Sequence, residues 1–270
     1  MTAAPALGND LTNIKQRQAA IDEKLDVLAD IYDDDVNIAV WQRLLPNSVL
    51  EATSKVLLEK PDLQISLALD PADTREVLVN ALGMQAESAA LVTDVAGLVD
   101  MFCYLFDLKN VGLRLTALGH TMCPRFHVDK VPCRLATTYF GNATEWLPHD
   151  RVDRSKLGPG SRGKPDAQSG LFSRSDDIQQ LDIGDVALLK GESWIGNEEA
   201  GLVHRSPGLQ PGTLRLLLTL DFAHTSNFSS DNTKSSKHMS RIVPISEIWG
   251  ESEREGSSSG HTLQGGVKFH

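Results

Sequence analysis

At Val111 the hydrophobic period of the chain changes, and that change limits what the chain can fold into. Before it, residues 88–107 carry Leu91, Val95, Leu98, Val99, Phe102, Leu105 and Phe106 on one broad apolar stripe. The spacing predicts a long helix buttressing a sheet. After it come short apolar segments of strand character separated by turns, at 112–118, 131–140, 186–189, 202–205 and 213–222. A helical region leading into a strand-rich one predicts an α+β architecture.

The first 110 residues read as mostly helical, with one or two strands that join the sheet. Leu11, Ile14, Ile21, Leu25, Leu28 and Ile31 recur near helical spacing, so 1–34 is expected to be a helical leader. Strands are expected at 36–41 and 63–69, and helices at 47–59 and 73–82. Residues 111–249 form the expected core, with a last strand near 242–249 after an exposed loop at 223–238. Within that core, 153–175 is rich in Gly, Pro, Ser, Lys and Arg, which predicts a mobile loop or lid. Residues 250–270 read as a flexible tail. No internal repeat is present.

Composition excludes several classes. The net charge is -10, which argues against a nucleic-acid partner. No run approaches the roughly 20 apolar residues of a membrane span, so no membrane partner is expected. The first ten residues lack a basic start followed by an apolar stretch, so they do not read as a secretory signal. Three cysteines, Cys103, Cys123 and Cys133, do not make a disulfide framework. Together these predict a cytoplasmic protein; a homodimer stays open. Gly-x-Gly-x-x-Gly at 158–163 and Gly-x-Ser-x-Gly at 256–260 occur as spacings only, in polar stretches with no strand leading into them, so hydrolase and dinucleotide readings are weak, and no complete phosphate loop is present.

The chemistry concentrates in Cys-Pro-Arg-Phe-His-Val-Asp at 123–129. On a strand, residues two apart share a face, so His127 and Asp129 can point into one interior. His204, on a later expected strand, is the best third ligand. Two imidazoles and a carboxylate on one face of a divalent ion leave the opposite positions open, the arrangement of non-haem Fe(II) sites. Arg215 follows after the turn at Pro211-Gly212, flanked by Leu214, Leu216, Leu217 and Leu218. A cation inside a core strand needs a dedicated anion: either a bound carboxylate, gripped by two parallel bonds, or a salt bridge to Asp221 or Asp185. Cys123 and Cys133 flank His127 and admit a Cys/His zinc site or inert burial. Arg125 and Arg205 read as ion pairs or substrate contacts, His120 and His149 as rim residues, and Trp146 and Trp194 as pocket mouth or core.

In this order, residues 111–222 resemble the double-stranded β-helix (a jelly-roll, cupin-like core) of the Fe(II)/2-oxoglutarate-dependent dioxygenases. His127-Val128-Asp129 matches the first two ligands, 134–139 the following strand, 141–146 the Gly/Thr-rich turn of prolyl-hydroxylase-like members, and 184–189 the strand before the distal histidine. His204 matches the third ligand and Arg215 the 2-oxoglutarate anchor. The resemblance implies N-terminal helices packed on the sheet, Fe(II) and 2-oxoglutarate as cofactors, and Thr138 or Tyr139 bonding the co-substrate. It implies hydroxylation of a small molecule or a protein side chain. More closely, Cys-Pro-Arg-Phe-His-Val-Asp, Thr-Glu-Trp-Leu-Pro, Leu-Leu-Lys-Gly and Val-His-Arg-Ser-Pro resemble a bacterial family of unknown function associated with zinc-homeostasis gene neighbourhoods. That association implies a second reading: a non-catalytic Zn(II)-binding or metal-homeostasis protein using the same three ligands. A third reading is a cupin-like sugar or small-acid binder.

Overall fold

The computed structural model describes residues 16–83 and 86–223. The leader before residue 16, the loop expected beyond Ala223, the strand at 242–249 and the tail at 250–270 lie outside those residues. In chain order the strands are β1 (Gln18–Asp22), β2 (Val36–Trp41), β3 (Gln64–Leu69), β4 (Val111–Leu118), β5 (Cys133–Phe140), β6 (Glu145–Leu147), β7 (Gln179–Gln180), β8 (Val186–Lys190), β9 (Val203–Arg205) and β10 (Arg215–Phe222). The helices are α1 (Asn47–Glu59), α2 (Thr74–Leu82), α3 (Ala89–Leu105) and the single turn α4 (Asp166–Ser169).

Seven strands make one sheet in the order β1-β2-β8-β5-β10-β4-β3, and β7-β6-β9 make a second. Strands β1 and β2 run parallel; the other neighbouring strands of both sheets are antiparallel. Side chains alternate along a strand, so the register assigns each face. On β10, Leu216, Leu218 and Leu220 share a face with Leu113 and Leu115 of β4 and Leu135 of β5. That face is buried under the helices, where Phe102 of α3 meets Phe222 edge-on at 5.8 Å. Arg43 forks onto Asp94 of α3 at 2.7 and 2.9 Å, and the Tyr139 hydroxyl donates to the same carboxylate at 2.6 Å. The opposite face presents Arg114, Arg134, Ala136, Arg215, Leu217, Thr219 and Asp221. Part of it packs on the second sheet: Ile38, Val40, Ala136, Ala187 and Leu189 pack with Trp146, Leu181 and Leu202. The described residues form a mixed α/β architecture: a large sheet with α1–α3 on one face and a small sheet on the other.

One local expectation fails for a physical reason, and a second is refined. The leader holds strand β1 and a 3-10 helix at Leu25–Tyr32 rather than one α-helix. Leu28 and Ile31 of the expected stripe are buried, with Val27 beside them, but Ile21 is exposed, and β1 is recruited by a ladder with β2 that local spacing cannot show. Residues 153–175, expected as a mobile loop or lid, are a connection built of short 3-10 turns and α4. Leu157, Leu171 and Phe172 from this segment pack around Phe126, Leu147 and Val203. Among the described residues no helix is long and apolar enough to cross a membrane.

Lys190 ends β8 at 1% exposure. Its Nζ donates to the Asp33 carbonyl at 2.8 Å and sits 4.9 Å above the Trp194 ring. Burial pushes its pKa down to about 8. Between pH 8 and the unfolded value of 10.5 the unfolded chain keeps a proton that the folded chain has shed, so stability rises with pH in that window. Urea unfolding across it should show the wild type gaining on the order of 2 kcal/mol relative to Lys190→Met. Parallel curves for the two proteins would contradict the assignment.

Candidate metal centre

His127 lies between β4 and β5 and adds one residue to the small sheet by bridging to His204 of β9. Each backbone N–H of the pair donates to the other's carbonyl at 3.0 Å. Their rings stand 4.6 Å apart between centroids. Nδ1 of His127 lies 2.9 Å from the Arg125 carbonyl, and Nδ1 of His204 lies 3.2 Å from the Leu202 carbonyl. A carbonyl can only accept, so this geometry assigns the proton to Nδ1 in both rings and leaves Nε2 as the free donor atom. Both Nε2 atoms face Asp129, at 3.7 Å from Oδ1 for His127 and 3.4 Å from Oδ2 for His204. One ligand atom from each of the three residues lies within 4.8 Å of the others. Such a group can hold a metal ion.

The protonation states suit that use. Burial pushes the His127 pKa below the usual imidazole value, and the neighbouring His204 adds to the shift. Its neutral, ligating form is therefore favoured. Burial pushes the Asp129 carboxyl up, but its neighbours His204, Arg134 and His127 outweigh it and hold the pKa at about 2. The Asp129 backbone is fastened as well, because its carbonyl accepts from Glu192 N–H at 2.9 Å. Gly191 makes this approach feasible: a Cβ there would overlap the Val131 carbonyl and come within 2.8 Å of the Asp129 carbonyl oxygen.

Arg215 opens β10 at 1% exposure. Its Nη2 donates to Thr144 Oγ1 at 2.8 Å and Thr138 Oγ1 at 3.1 Å, while Nε has no hydrogen-bond partner. Burial pushes the guanidinium down to about 10, and the charge of Glu145 opposes that shift without cancelling it. The salt-bridge reading is not realised among the described residues. Asp221 is taken by Arg134 and Arg114, and Asp185 accepts from the Asp182 N–H. Instead Arg215, His127 and His204 line one cavity of about 270 Å³, together with Thr144, Ala136 and Leu217. Gly141, at φ +81°, passes so close to Leu214 and Arg215 that a Cβ would overlap the Leu214 carbonyl. The turn needs glycine for both reasons.

Thr138 reaches Arg215, but Tyr139 does not; its hydroxyl is spent on Asp94 of α3, on the opposite face. A register irregularity in the β5–β10 ladder falls there. Cys133 is buried and Cys123 is exposed, and neither joins the ligand group, so no Cys/His zinc site forms among the described residues. Arg125 bonds Asp166 at 2.7 Å and Arg205 bonds Glu145 at 2.6 Å, as ion pairs. Trp146 is core, and Trp194 joins an aromatic cluster with Tyr32 and Phe106. His120 and His149 stand outside the ligand group. Sequence reasoning missed Thr144, Arg134 and Asp166. Thr144 stands inside the Gly/Thr-rich turn, which was its available signal. Asp166 takes the Arg125 guanidinium and the Phe126 N–H, and so holds the segment leading into His127.

A family model described as "Protein of unknown function (DUF1826)" matches residues 22–221. No match is found among curated proteins. Among solved structures, dioxygenase for auxin oxidation 1 from Arabidopsis thaliana, in complex with 2-oxoglutarate, is similar with a TM-score of 0.45 at 10% identity, over 77% of this chain and 92% of that one. HygX from Streptomyces hygroscopicus, with nickel and 2-oxoglutarate bound, gives 0.40 at 12% identity, over 75% and 88%. A Pseudomonas putida prolyl-4-hydroxylase gives 0.37 at 12%, over 73% and 96%.

Replacing His204 by Ala removes one of the three candidate ligands. Since losing a supporting residue alone costs roughly 10–100-fold in metal affinity, His204→Ala should weaken Co(II) binding by more than about 100-fold in a calorimetric titration. An unchanged affinity would place the ion elsewhere.

Proposed function

This chain belongs to the DUF1826 family, and we propose that it is a non-haem Fe(II) oxygenase that uses 2-oxoglutarate on a double-stranded β-helix core. The observation that carries the reading is one cavity lined both by the two histidines of a His/Asp/His ligand group and by a buried arginine with no carboxylate partner among the described residues. The donor set fits: two neutral imidazoles and one carboxylate suit iron and leave open positions. The arginine fits too. A guanidinium with two hydroxyls beside it and an unpartnered Nε suits the far carboxylate of a dicarboxylic keto acid.

Iron and 2-oxoglutarate, when bound, would supply the oxidising chemistry. The chain's residues do the holding. His127 and His204 would ligate through Nε2, and Asp129 would add the negative charge. Arg215, with Thr138 and Thr144, would orient the co-substrate by its far end and fix which end faces the ligands. The packed floor of Ala136, Leu189 and Leu217 would keep water from that end of the cavity. The substrate is proposed to be a small molecule or a protein side chain that reaches the cavity mouth beside Met122, Cys123 and Ser206. A non-catalytic zinc protein with the same ligands is disfavoured on two counts. Structural zinc sites are closed by four ligands, and such a site gives Arg215 no task.

Anaerobic addition of 2-oxoglutarate to the Fe(II)-loaded protein should produce a weak visible charge-transfer band. Arg215→Ala should weaken 2-oxoglutarate binding by about 10- to 100-fold, the worth of a charge-assisted bond, and leave Fe(II) affinity unchanged. Tight zinc binding with no response to 2-oxoglutarate would contradict the proposal.

A further inference from the structure

Arg134 lies outside the ligand group and is bonded to it. Its Nη1 donates to Asp129 Oδ2 at 2.6 Å. Its Nε and Nη2 grip both oxygens of Asp221, at 2.7 and 3.1 Å. Asp221 also accepts from Arg114 Nη1 at 2.8 Å. Arg134 and Asp221 stand directly opposite each other in the β5–β10 register. The clamp is therefore built on the large sheet. Asp129 precedes β5, in the segment between strands. The side chains of Arg134, Asp221 and Asp129 are 21%, 12% and 14% exposed, so water screens these bonds weakly.

A carboxylate can meet a divalent ion through one oxygen or both. Here one oxygen already accepts a short charge-assisted bond. We propose that Arg134 is a positioning residue for the metal centre: it holds Oδ2 of Asp129 and leaves Oδ1 as the single donor to the ion. Asp221 makes this arrangement tolerable, because its carboxylate offsets the repulsion between a guanidinium and a nearby cation and stops Arg134 from turning away. The consequence concerns the open positions. A two-oxygen Asp129 would occupy one more site on a six-coordinate ion, so that a co-substrate binding through two atoms would fill the rest and leave no open position. The inference rests on the divalent-metal reading above and adds a residue that the ligand group does not contain.

The test uses Co(II) alone with the full chain, so that no substrate or turnover is required. Affinity and visible spectrum are recorded for the wild type, Arg134→Gln, Arg134→Lys and Asp221→Asn, with thermal unfolding of each metal-free protein as the measure of folding. Arg134→Gln should weaken Co(II) binding by about 10- to 100-fold and shift the visible band as Asp129 changes its mode of binding. Arg134→Lys should recover part of both changes, and Asp221→Asn should move both in the same direction as Arg134→Gln by less. If Arg134→Gln fails to fold, the Lys and Asn variants carry the result, and a wild-type spectrum and affinity in both would overturn the role. An unchanged spectrum and affinity in a folded Arg134→Gln would also overturn it. A wild-type chain that binds no Co(II) would instead defeat the metal reading itself.

Discussion

His127 and His204 exchange both of their backbone hydrogen bonds, and the rest of the site depends on that exchange. A pair bonded in this way has a fixed spacing and orientation across a sheet, so two imidazoles far apart in sequence are held side by side without help from their own side chains. Each hydrogen bond contributes only about 1 kcal/mol net; their main effect is geometric. The rest of the segment is fastened around them. Ser206 N–H donates to the Cys123 carbonyl, Phe126 N–H to Asp166, and Glu192 N–H to the Asp129 carbonyl. Three parts of the chain thus converge on the stretch from Cys123 to Asp129, which otherwise would be a loop free to move its ligands apart.

The large sheet serves two purposes through one alternation. Along β10 the leucines at 216, 218 and 220 build the core beneath the helices, while the residues between them, beginning with Arg215 and ending with Asp221, face the small sheet. An arginine at 1% exposure with no carboxylate partner among the described residues is costly. The fold tolerates it because Thr138 and Thr144 bond one end of the guanidinium. Nε is left without a hydrogen-bond partner beside the cavity that Arg215 lines.

Much of the fold is legible in the sequence. The helix at Asn47–Glu59 follows Pro46, and the long stripe of α3 needs no tertiary information. His127, Asp129 and His204 are recognisable as a candidate ligand group because residue types able to ligate stand at strand spacing beside strand-forming segments. What fails is non-local. No local pattern shows that β1 joins β2 in parallel, because the partner supplies the reason. The 153–175 segment has the composition of an exposed loop, yet Asp166 is buried there because Arg125 and the Phe126 N–H need an acceptor. Thr138 and Tyr139 cannot both face the cavity, since neighbours on a strand point apart. The parity is decided by Asp94, contributed by a helix distant in sequence.

The central claim is that an ion binds to two imidazoles and one carboxylate in a cavity that Arg215 also lines. X-ray absorption at the metal edge of the Fe(II)-loaded chain tests it most directly. The predicted result is a set of nitrogen and oxygen neighbours at about 2.0–2.2 Å, with outer scattering from two imidazole rings and no sulfur. A metal–sulfur path at about 2.3 Å, or scattering from fewer than two imidazoles, would contradict it.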